Sequence, residues 1–179
     1  MLNGKTIGFV GAGNMGGAML AGLHQSGAVL IASDADPARL DALAQQYGVH
    51  PAPDNASVAA QADILVIAVK PQIIDQVLAP ATASQCDFVL SIVAGVRLER
   101  LLALFGNPRL VRSMPNTPAT IGAGMSAWMA TPDVTQTQRD QAAAILGALG
   151  ETLEVHNETL LDAATAISGS GPAYMFLIL

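Results

Sequence analysis

The sequence has little cysteine, few aromatic residues and little charge. Its single cysteine, Cys86, excludes a disulfide within the chain, and we expect it to be a small buried side chain. Only 12% of the residues are charged, the net charge is −6, and lysine and arginine form no block, which argues against nucleic-acid binding because that function needs a basic face. The three scattered histidines lack metal-ligand spacing, and no Cys/His or Ser/His arrangement indicates a catalytic nucleophile.

One uncharged stretch, residues 6–23, resembles a signal peptide or a membrane span. It holds six glycines, which weaken a helix of that length. We therefore predict no targeting segment, no membrane contact and a cytoplasmic protein.

What the chain has in abundance is short aliphatic runs that alternate with amphipathic stretches. The runs predict strands at 6–10, 28–34, 49–50, 63–69, 87–95, 109–116, 124–130 and 151–155. The stretches between them predict helices at 14–27, 36–48, 55–62, 71–81, 97–106 and 135–150. Apolar strands separated by helices are typical of an α/β fold, here a Rossmann-type, mostly parallel sheet with helices on both faces.

The strand pattern stops near residue 155. The remaining segment reads as helical throughout, with Asn157 as its N-cap. We therefore predict a dinucleotide-binding domain over 1–156 and the start of an all-helical domain over 157–179.

A glycine-rich turn follows the first strand directly and precedes a helix. It contains Gly11-x-Gly13-x-x-Gly16, a pattern that is weak alone and strong in this context. Gly11 permits the tight turn, Gly13 lets the backbone approach a pyrophosphate, and Gly16 lets the helix pack close to the strand. The helix N-terminus then offers amide hydrogens and partial positive charge to the phosphates.

The end of the second strand bears on the choice between NAD and NADP. Asp34 lies where an acid would bind the ribose of NAD and repel the 2′-phosphate of NADP, unless it is a capping or solvated acid. Ser33 and Arg39 would instead receive that phosphate, so the residues leave both cofactors open. Asn55 either caps the third helix or reaches the adenosine ribose.

Three loops are expected at the edge of the sheet where the nicotinamide would lie, after the fourth, fifth and sixth strands. Lys70, in the first loop, either meets ribose or phosphate oxygens or is solvated, and Pro71 opens a helix. In "MPNTPA", two prolines bracket Asn116, whose side chain can hydrogen-bond a carboxamide, although an ordinary rigid turn is the alternative.

Five segments, in order, carry a specific resemblance: "IGFVGAGNMGGAML", "AVKPQ", "SIVAGV", "MPNTPA" and "SGSGPAYMF". Together they resemble pyrroline-5-carboxylate reductase over essentially the whole chain, and the last two are the most specific. The resemblance implies a dinucleotide domain followed by an all-helical dimer-forming domain. It also implies reduction of 1-pyrroline-5-carboxylate to L-proline, in proline biosynthesis, with NADPH or NADH.

The resemblance also implies which residues contact the cofactor, with NADP favoured and NAD an alternative. The residues that it assigns to the cofactor are Gly11, Ala12, Gly13, Asn14, Met15, Gly16, Ser33, Asn55, Ala68, Val69, Lys70, Pro71, Ala94, Gly95, Pro115 and Asn116. Asp34 joins this set only through its position after the second strand.

The family pattern continues beyond this chain into further helices and a Gly/Thr-rich loop that binds the substrate. We therefore name no catalytic residue, and we expect this chain to bind NADP(H) with little or no turnover. The apolar run at 174–179 resembles the first turns of a buried helix, and the full-length family implies a homodimer or higher homo-oligomer. Two alternatives remain: another reductase of the β-hydroxyacid dehydrogenase or imine reductase type, and a non-catalytic nucleotide-binding module.

Overall fold

The computed structural model describes residues 1–77, 82–169, 171 and 174. Its strands are β1 (Thr6–Val10), β2 (Val29–Ser33), β3 (His50–Pro51), β4 (Ile64–Ile67), β5 (Phe88–Ser91), β6 (Leu110–Met114), β7 (Gly124–Ala130) and β8 (Gly150–Glu154). Its α-helices are α1 (Asn14–Leu23), α2 (Pro37–Tyr47), α3 (Asn55–Gln61), α4 (Leu98–Phe105), α5 (Gln136–Gly147) and α6 (Glu158–Ala164). Shorter 3₁₀ segments span Pro71–Gln76, Thr82–Gln85 and Thr117–Ile121, and a π-helical turn spans Thr165–Gly169.

All eight strands form one sheet in the order β3-β2-β1-β4-β5-β6-β7-β8. Every neighbouring pair is parallel except β6 and β7, which are antiparallel. The mostly parallel Rossmann-type sheet predicted from the sequence is confirmed. The strand order reverses between β1 and β4, so a crevice opens beyond the carboxyl ends of these two strands.

The central strands β1, β2, β4, β5 and β6 are buried on both faces, which explains why they read as continuous apolar runs. Ile64 and Val66 of β4 belong to the core under α1, α2 and α5, whereas Leu65 and Ile67 belong to the core under α3 and α4. This alternation follows from the two-residue period of a strand. The two cores pack on opposite faces of the sheet, and the loops lie at its carboxyl edge.

Local capping chemistry sets the helix bounds. Helix α2 begins after Asp36, whose carboxylate accepts two backbone hydrogen bonds, and it ends at Gly48, with φ +70°. Asn157 caps α6 as predicted. The predicted alternative of Asn55 as a helix cap is wrong: Asp54 accepts the hydrogen bond from the amide of Ser57 at 2.7 Å, which places Asn55 at the first helical position.

Three predictions from the sequence either differ from the structure or fall outside the residues that it describes. Within the helix predicted over 71–81, the described residues form a 3₁₀ segment from Pro71 to Gln76. Its buried residue Ile74 lies three positions before the buried C-cap residue Val77, whose amide donates to the Ile74 carbonyl at 3.4 Å. Strand predictions at 87–95 and 109–116 ran past the true ends, because the chain turns after Ser91 and after Met114. The segments 78–81 and 175–179, with residues 170, 172 and 173, lie outside the described residues, so the predicted buried helix at 174–179 falls mostly there.

Within the described residues, no helix has both the length and the apolar character needed to cross a bilayer.

Candidate functional site

The glycine-rich turn after β1 has the backbone that its sequence predicts. Gly11 has φ +93°, and a Cβ there would lie 2.6 Å from the carbonyl oxygen of Ala68. A Cβ on Gly16 would run into the carbonyl oxygen of Gly11, so α1 packs against the turn itself. Gly13 differs, since the nearest atom to its ideal Cβ is the Arg39 Nη1 at 3.9 Å. The first and third glycines therefore fix the turn, and the second faces open space.

Backbone and carboxylate contacts hold the turn against β2. The amide of Gly11 donates to the carbonyl of Ser33 at 2.9 Å. The buried amide of Ala12 donates to Asp34 Oδ2 at 2.7 Å, and the amide of Asp36 donates to Asp34 Oδ1 at 2.9 Å. Asp34 is therefore turned inward, with 12% of its side chain exposed. It anchors the turn at the place where the sequence expected a ribose contact.

The start of α1 is arranged to meet an anion. Gly13 is its N-cap and supplies no side chain, and no side-chain hydrogen bond of the described residues caps this helix. Its first turn contains no acid. The amides at a helix N-terminus carry partial positive charge and attract phosphate.

On the adenosine side, a cleft of about 260 Å³ runs from Gly11 to Val77. Its floor is neutral: the Ser33 hydroxyl donates to Asn55 Oδ1 at 2.7 Å, and Asn55 Nδ2 donates to the carbonyl of Val77 at 2.7 Å. Ser33 is 4% exposed, so it contributes mainly by fixing Asn55. The pair ties the end of β2 to the segment that follows β4.

Arg39, from the first turn of α2, supplies positive charge to the groove. Its Nη1 lies 3.6 Å from Asp34 Oδ1 and its Nη2 lies 3.8 Å from Asp36 Oδ2. These are loose contacts, and 43% of the side chain is exposed. Its guanidinium is therefore available to a further anion above Gly13.

On the other side of Arg39, a cleft of about 510 Å³ extends over the carboxyl ends of β1, β4, β5 and β6. The two clefts share Gly13, Arg39, Ala68, Val69 and Lys70, so they form one groove. Its far wall is apolar and is formed by Ile92, Ala94, Met114 and Pro115. The groove thus has a cationic middle, near the helix N-terminus, and a hydrophobic end suited to a flat ring.

All but four of the predicted cofactor residues line this groove. Ala12 lies buried beneath the turn and Gly16 packs α1 against it. Gly95 lines a separate cleft of about 510 Å³ together with Arg97. Asn116 follows Pro115, and its side chain points into other contacts: Oδ1 accepts from the amide of Met125 and Nδ2 donates to the Ser168 hydroxyl, both at 2.9 Å.

The groove also contains residues that the sequence had not assigned to it. Ile92 and Met114 line its apolar end, and Ala35, Ile73 and Val77 line the cleft beside Ser33 and Asn55. Ile92 directly follows β5 and Met114 ends β6, so position at a carboxyl strand end was the available signal. Ile73 and Val77 carried no such signal, because the 3₁₀ geometry that presents them was not predicted.

The described residues offer little other reactive chemistry. They contain no group of three or more His, Cys, Asp or Glu side chains that could hold a metal ion. Cys86 is fully buried, and its burial raises the pKa of the thiol to about 11, so it stays neutral near pH 7. The arrangement is that of a binding groove for an extended, phosphate-bearing ligand.

Comparison with known proteins agrees with this geometry. A family model described as NADP oxidoreductase coenzyme F420-dependent matches residues 6–95. A pyrroline-5-carboxylate reductase from Synechocystis sp. is 42% identical over 178 residues, covering 97% of this chain and 66% of that protein.

Two solved structures extend the comparison to the whole described fold. The pyrroline-5-carboxylate reductase from Coxiella burnetii aligns with a TM-score of 0.87 and 34% identity, covering 98% of this chain and 68% of that one. The pyrroline carboxylate reductase from Plasmodium falciparum, with NADP bound, aligns with a TM-score of 0.82 and 27% identity, covering 99% and 67%. The chain spans about two thirds of the length of the curated relatives that it matches, 66% in the first two.

Proposed function

This chain belongs to the pyrroline-5-carboxylate reductase family, and on that premise we propose that it binds NADP(H) in the groove and serves the reduction of 1-pyrroline-5-carboxylate to L-proline. The observation that carries the proposal is the groove itself. It joins a glycine turn open at Gly13, two cations and an apolar end at the carboxyl edge of one sheet.

The residues of the groove have distinct proposed roles. The turn from Gly11 to Gly16 presents the start of α1 to the pyrophosphate, and Lys70 adds charge beside it. The amides of Gly11 and Ala12 already donate to Ser33 and Asp34, so the phosphate is proposed to meet the amides that follow them. Ser33 and Asn55 form the adenosine floor. Ala68, Val69, Pro71, Ala94 and Pro115 complete the proposed cofactor contacts in the groove, and the last two lie at its apolar end, where we propose the nicotinamide binds. Gly95 and Asn116, which the resemblance also assigns to the nicotinamide, lie outside the groove lining, so for them the proposal rests on the resemblance alone.

When bound, the reduced nicotinamide supplies a hydride to the imine carbon, while the imine nitrogen carries the proton that ends on the ring amine. The chain's own contribution is to hold the ring edge and exclude water along the apolar wall, because attack needs reacting atoms about 3–3.5 Å apart. We propose that the substrate is held by residues in the third of the relatives' length that this chain does not span. We propose a domain boundary that separates 1–156 from 157–179. We also propose that full-length members of the family form a homodimer or higher homo-oligomer.

We propose that NADP(H) is preferred over NAD(H). Asp34, the acid that would disfavour a 2′-phosphate, is turned toward the amide of Ala12 and lies beside Arg39. Arg39 has exposed guanidinium nitrogens with only loose partners. The solved relative from Plasmodium falciparum contains NADP, which supports the same choice.

Calorimetric titration of the chain with NADPH and NADH tests the binding proposal. We expect binding of NADPH at one site and weaker binding of NADH. Absence of binding by both nucleotides under saturating conditions contradicts the proposal.

A chimera tests the reaction. The chain is joined to the remaining third of the Synechocystis relative, and proline formation from 1-pyrroline-5-carboxylate and NADPH is measured. Turnover by the chimera supports the reductase assignment. Tight NADPH binding without turnover in the chimera favours a non-catalytic nucleotide-binding module.

A further inference from the structure

A buried arginine outside the groove contacts helix α6. Arg112 lies on β6, and only 3% of its side chain is exposed. Its Nη1 lies 2.7 Å from Glu158 Oε1 and its Nη2 lies 2.9 Å from Asp162 Oδ1. Glu158 and Asp162 are four residues apart on α6, so one guanidinium holds two successive turns of the helix.

These polar contacts join α6 to the buried strand β6. Within the helix, only Leu161 is buried, so its apolar contact area is small. A second layer reinforces Arg112: Arg97 Nη2 lies 2.9 Å from Asp162 Oδ2, and the amide of Leu98 donates to Glu158 Oε1 at 2.7 Å. Removal of the buried cation would leave Glu158 with only the Leu98 amide and Asp162 with only the exposed Arg97 as partners among the described residues.

The chain that follows α6 contacts the back of the groove. The π-helical turn Thr165–Gly169 brings the Ser168 hydroxyl to the amide nitrogen of Asn116, at 2.9 Å. Gly169 packs under Met114, since a Cβ on Gly169 would lie 2.6 Å from Met114 Cε. Met114 and Pro115 line the apolar end of the groove.

We propose that Arg112 is a positioning residue for the nicotinamide end of the groove. It fixes α6, and α6 in turn sets Ser168 and Gly169 against Asn116 and Met114. The apolar wall is thereby held in the shape that receives the ring. This inference rests on the proposed function, because it assigns the apolar end of the groove to the nicotinamide.

Two ligands distinguish a change confined to the apolar end of the groove from a change that affects the whole groove. NADPH occupies the whole groove, whereas adenosine 2′,5′-bisphosphate carries only the adenosine half. For Arg112→Met we expect the affinity for NADPH to fall about fivefold or more, with unchanged affinity for the bisphosphate. Asp162→Asn should act in the same direction. Ser168→Ala, which removes the acceptor for Asn116, should weaken NADPH binding by about threefold.

Arg100→Met is the matched control. It breaks the Arg100–Asp75 ion pair, 2.6 Å long, which involves neither Glu158 nor Asp162. We expect both affinities to be unchanged in this variant.

The outcomes distinguish the two proposals. Equal losses for both ligands, or unchanged NADPH affinity in all three variants, overturn the role of Arg112 while the proposed function stands. Failure of the unsubstituted chain to bind NADPH overturns both. If Arg112→Met does not fold, Asp162→Asn and Ser168→Ala decide by the same criterion.

Discussion

Asp34 shows how one carboxylate can occupy the position of a ribose ligand and bind the protein instead. Its two oxygens accept hydrogen bonds from the amides of Ala12 and Asp36, and Ala12 is 1% exposed. A buried amide that loses its acceptor is costly. The carboxylate therefore contributes to the shape of the glycine turn, whichever nucleotide binds.

Asp34→Ala is expected to reduce the free energy of unfolding by about 1–3 kcal/mol, because the Ala12 amide is left buried without its acceptor. Asp34→Asn keeps an acceptor oxygen and should lose less. Urea unfolding of both variants measures the difference. Equal stability of Asp34→Ala and the unsubstituted chain would contradict the anchoring role.

Arg39→Gln is expected to weaken NADPH binding by about tenfold, since it removes a charge-assisted hydrogen bond to the 2′-phosphate. NADH affinity should stay unchanged, because NADH lacks that phosphate. Calorimetry with both nucleotides measures the ratio, and Arg100→Gln serves as a control of equal charge change. An equal loss of affinity for both nucleotides would mean that Arg39 contacts a part of the ligand other than the 2′-phosphate.

At the scale of elements, the junction of β1 and α1 offers a matched pair of glycines. Gly16 has no room for a methyl group because the carbonyl of Gly11 stands there, whereas the nearest atom to a Cβ on Gly17 is the Ala12 oxygen at 3.4 Å. Both lie in α1, so the helix propensity gained by alanine is the same.

Gly16→Ala is therefore expected to lower both the melting temperature and the NADPH affinity, since α1 must move away from the turn. Gly17→Ala should keep the NADPH affinity and retain or slightly raise the melting temperature. Thermal unfolding and calorimetry on the two variants test this. Identical behaviour of the pair would mean that close packing of α1 on the turn is unimportant.

The docking of α6 is expected to depend on pH in a specific range. The hydrogen bond from Arg112 is the main cause that lowers the pKa of Asp162 below its ordinary 3.8; Arg97 lowers it further. A carboxylate with a lowered folded-state pKa contributes stability above its unfolded pKa, and that contribution is lost as the pH falls through the folded pKa.

The unfolding free energies of the unsubstituted chain and of Asp162→Asn should therefore differ by a constant amount from neutral pH to about pH 5. The difference should shrink below pH 3.8, the ordinary pKa of the group. Urea unfolding at several pH values measures it. A difference that disappears between pH 7 and pH 5 would contradict the Arg112–Asp162 assignment.

At the scale of the whole molecule, ligand binding should stabilise the fold as a unit, because the groove draws on the ends of β1, β2, β4, β5 and β6. A ligand that binds only the folded state adds about 2.7 kcal/mol at a hundred times its dissociation constant. We therefore expect NADPH to raise the melting temperature in a concentration-dependent way. A melting temperature independent of NADPH would contradict binding in the groove.

Most strands and several helix ends were predictable from local signals. Pro37 and Gly48 predicted the two ends of α2, and the glycine turn predicted the start of α1. The 3₁₀ segment after β4 was misread, because an apolar residue every third or fourth position fits both helix types. The antiparallel step from β6 to β7 was not predicted, because an apolar strand bears no mark of its direction.

The candidate site also contains residues that were predictable from the sequence and contacts that were not. Residues in the turn and at the strand ends were predicted, because their positions follow from the order of the elements. Whether they contact a cofactor remains a prediction. The contacts of Asn116 with Met125 and Ser168, and the inward turn of Asp34, were not predictable because each contact joins residues of different segments that only the folded chain brings together.

The alternation of strands and helices, the glycine turn and the resemblance to the family could all be inferred from the sequence alone. These depend on the identity of neighbouring residues and on short-range sterics. Three features became visible only in the folded chain. Asp34 accepts a backbone hydrogen bond from Ala12, Arg39 lines the groove, and the buried Arg112 contacts α6. Such pairings depend on which side chains the packed sheet brings within hydrogen-bond distance, and this is a property of the whole fold.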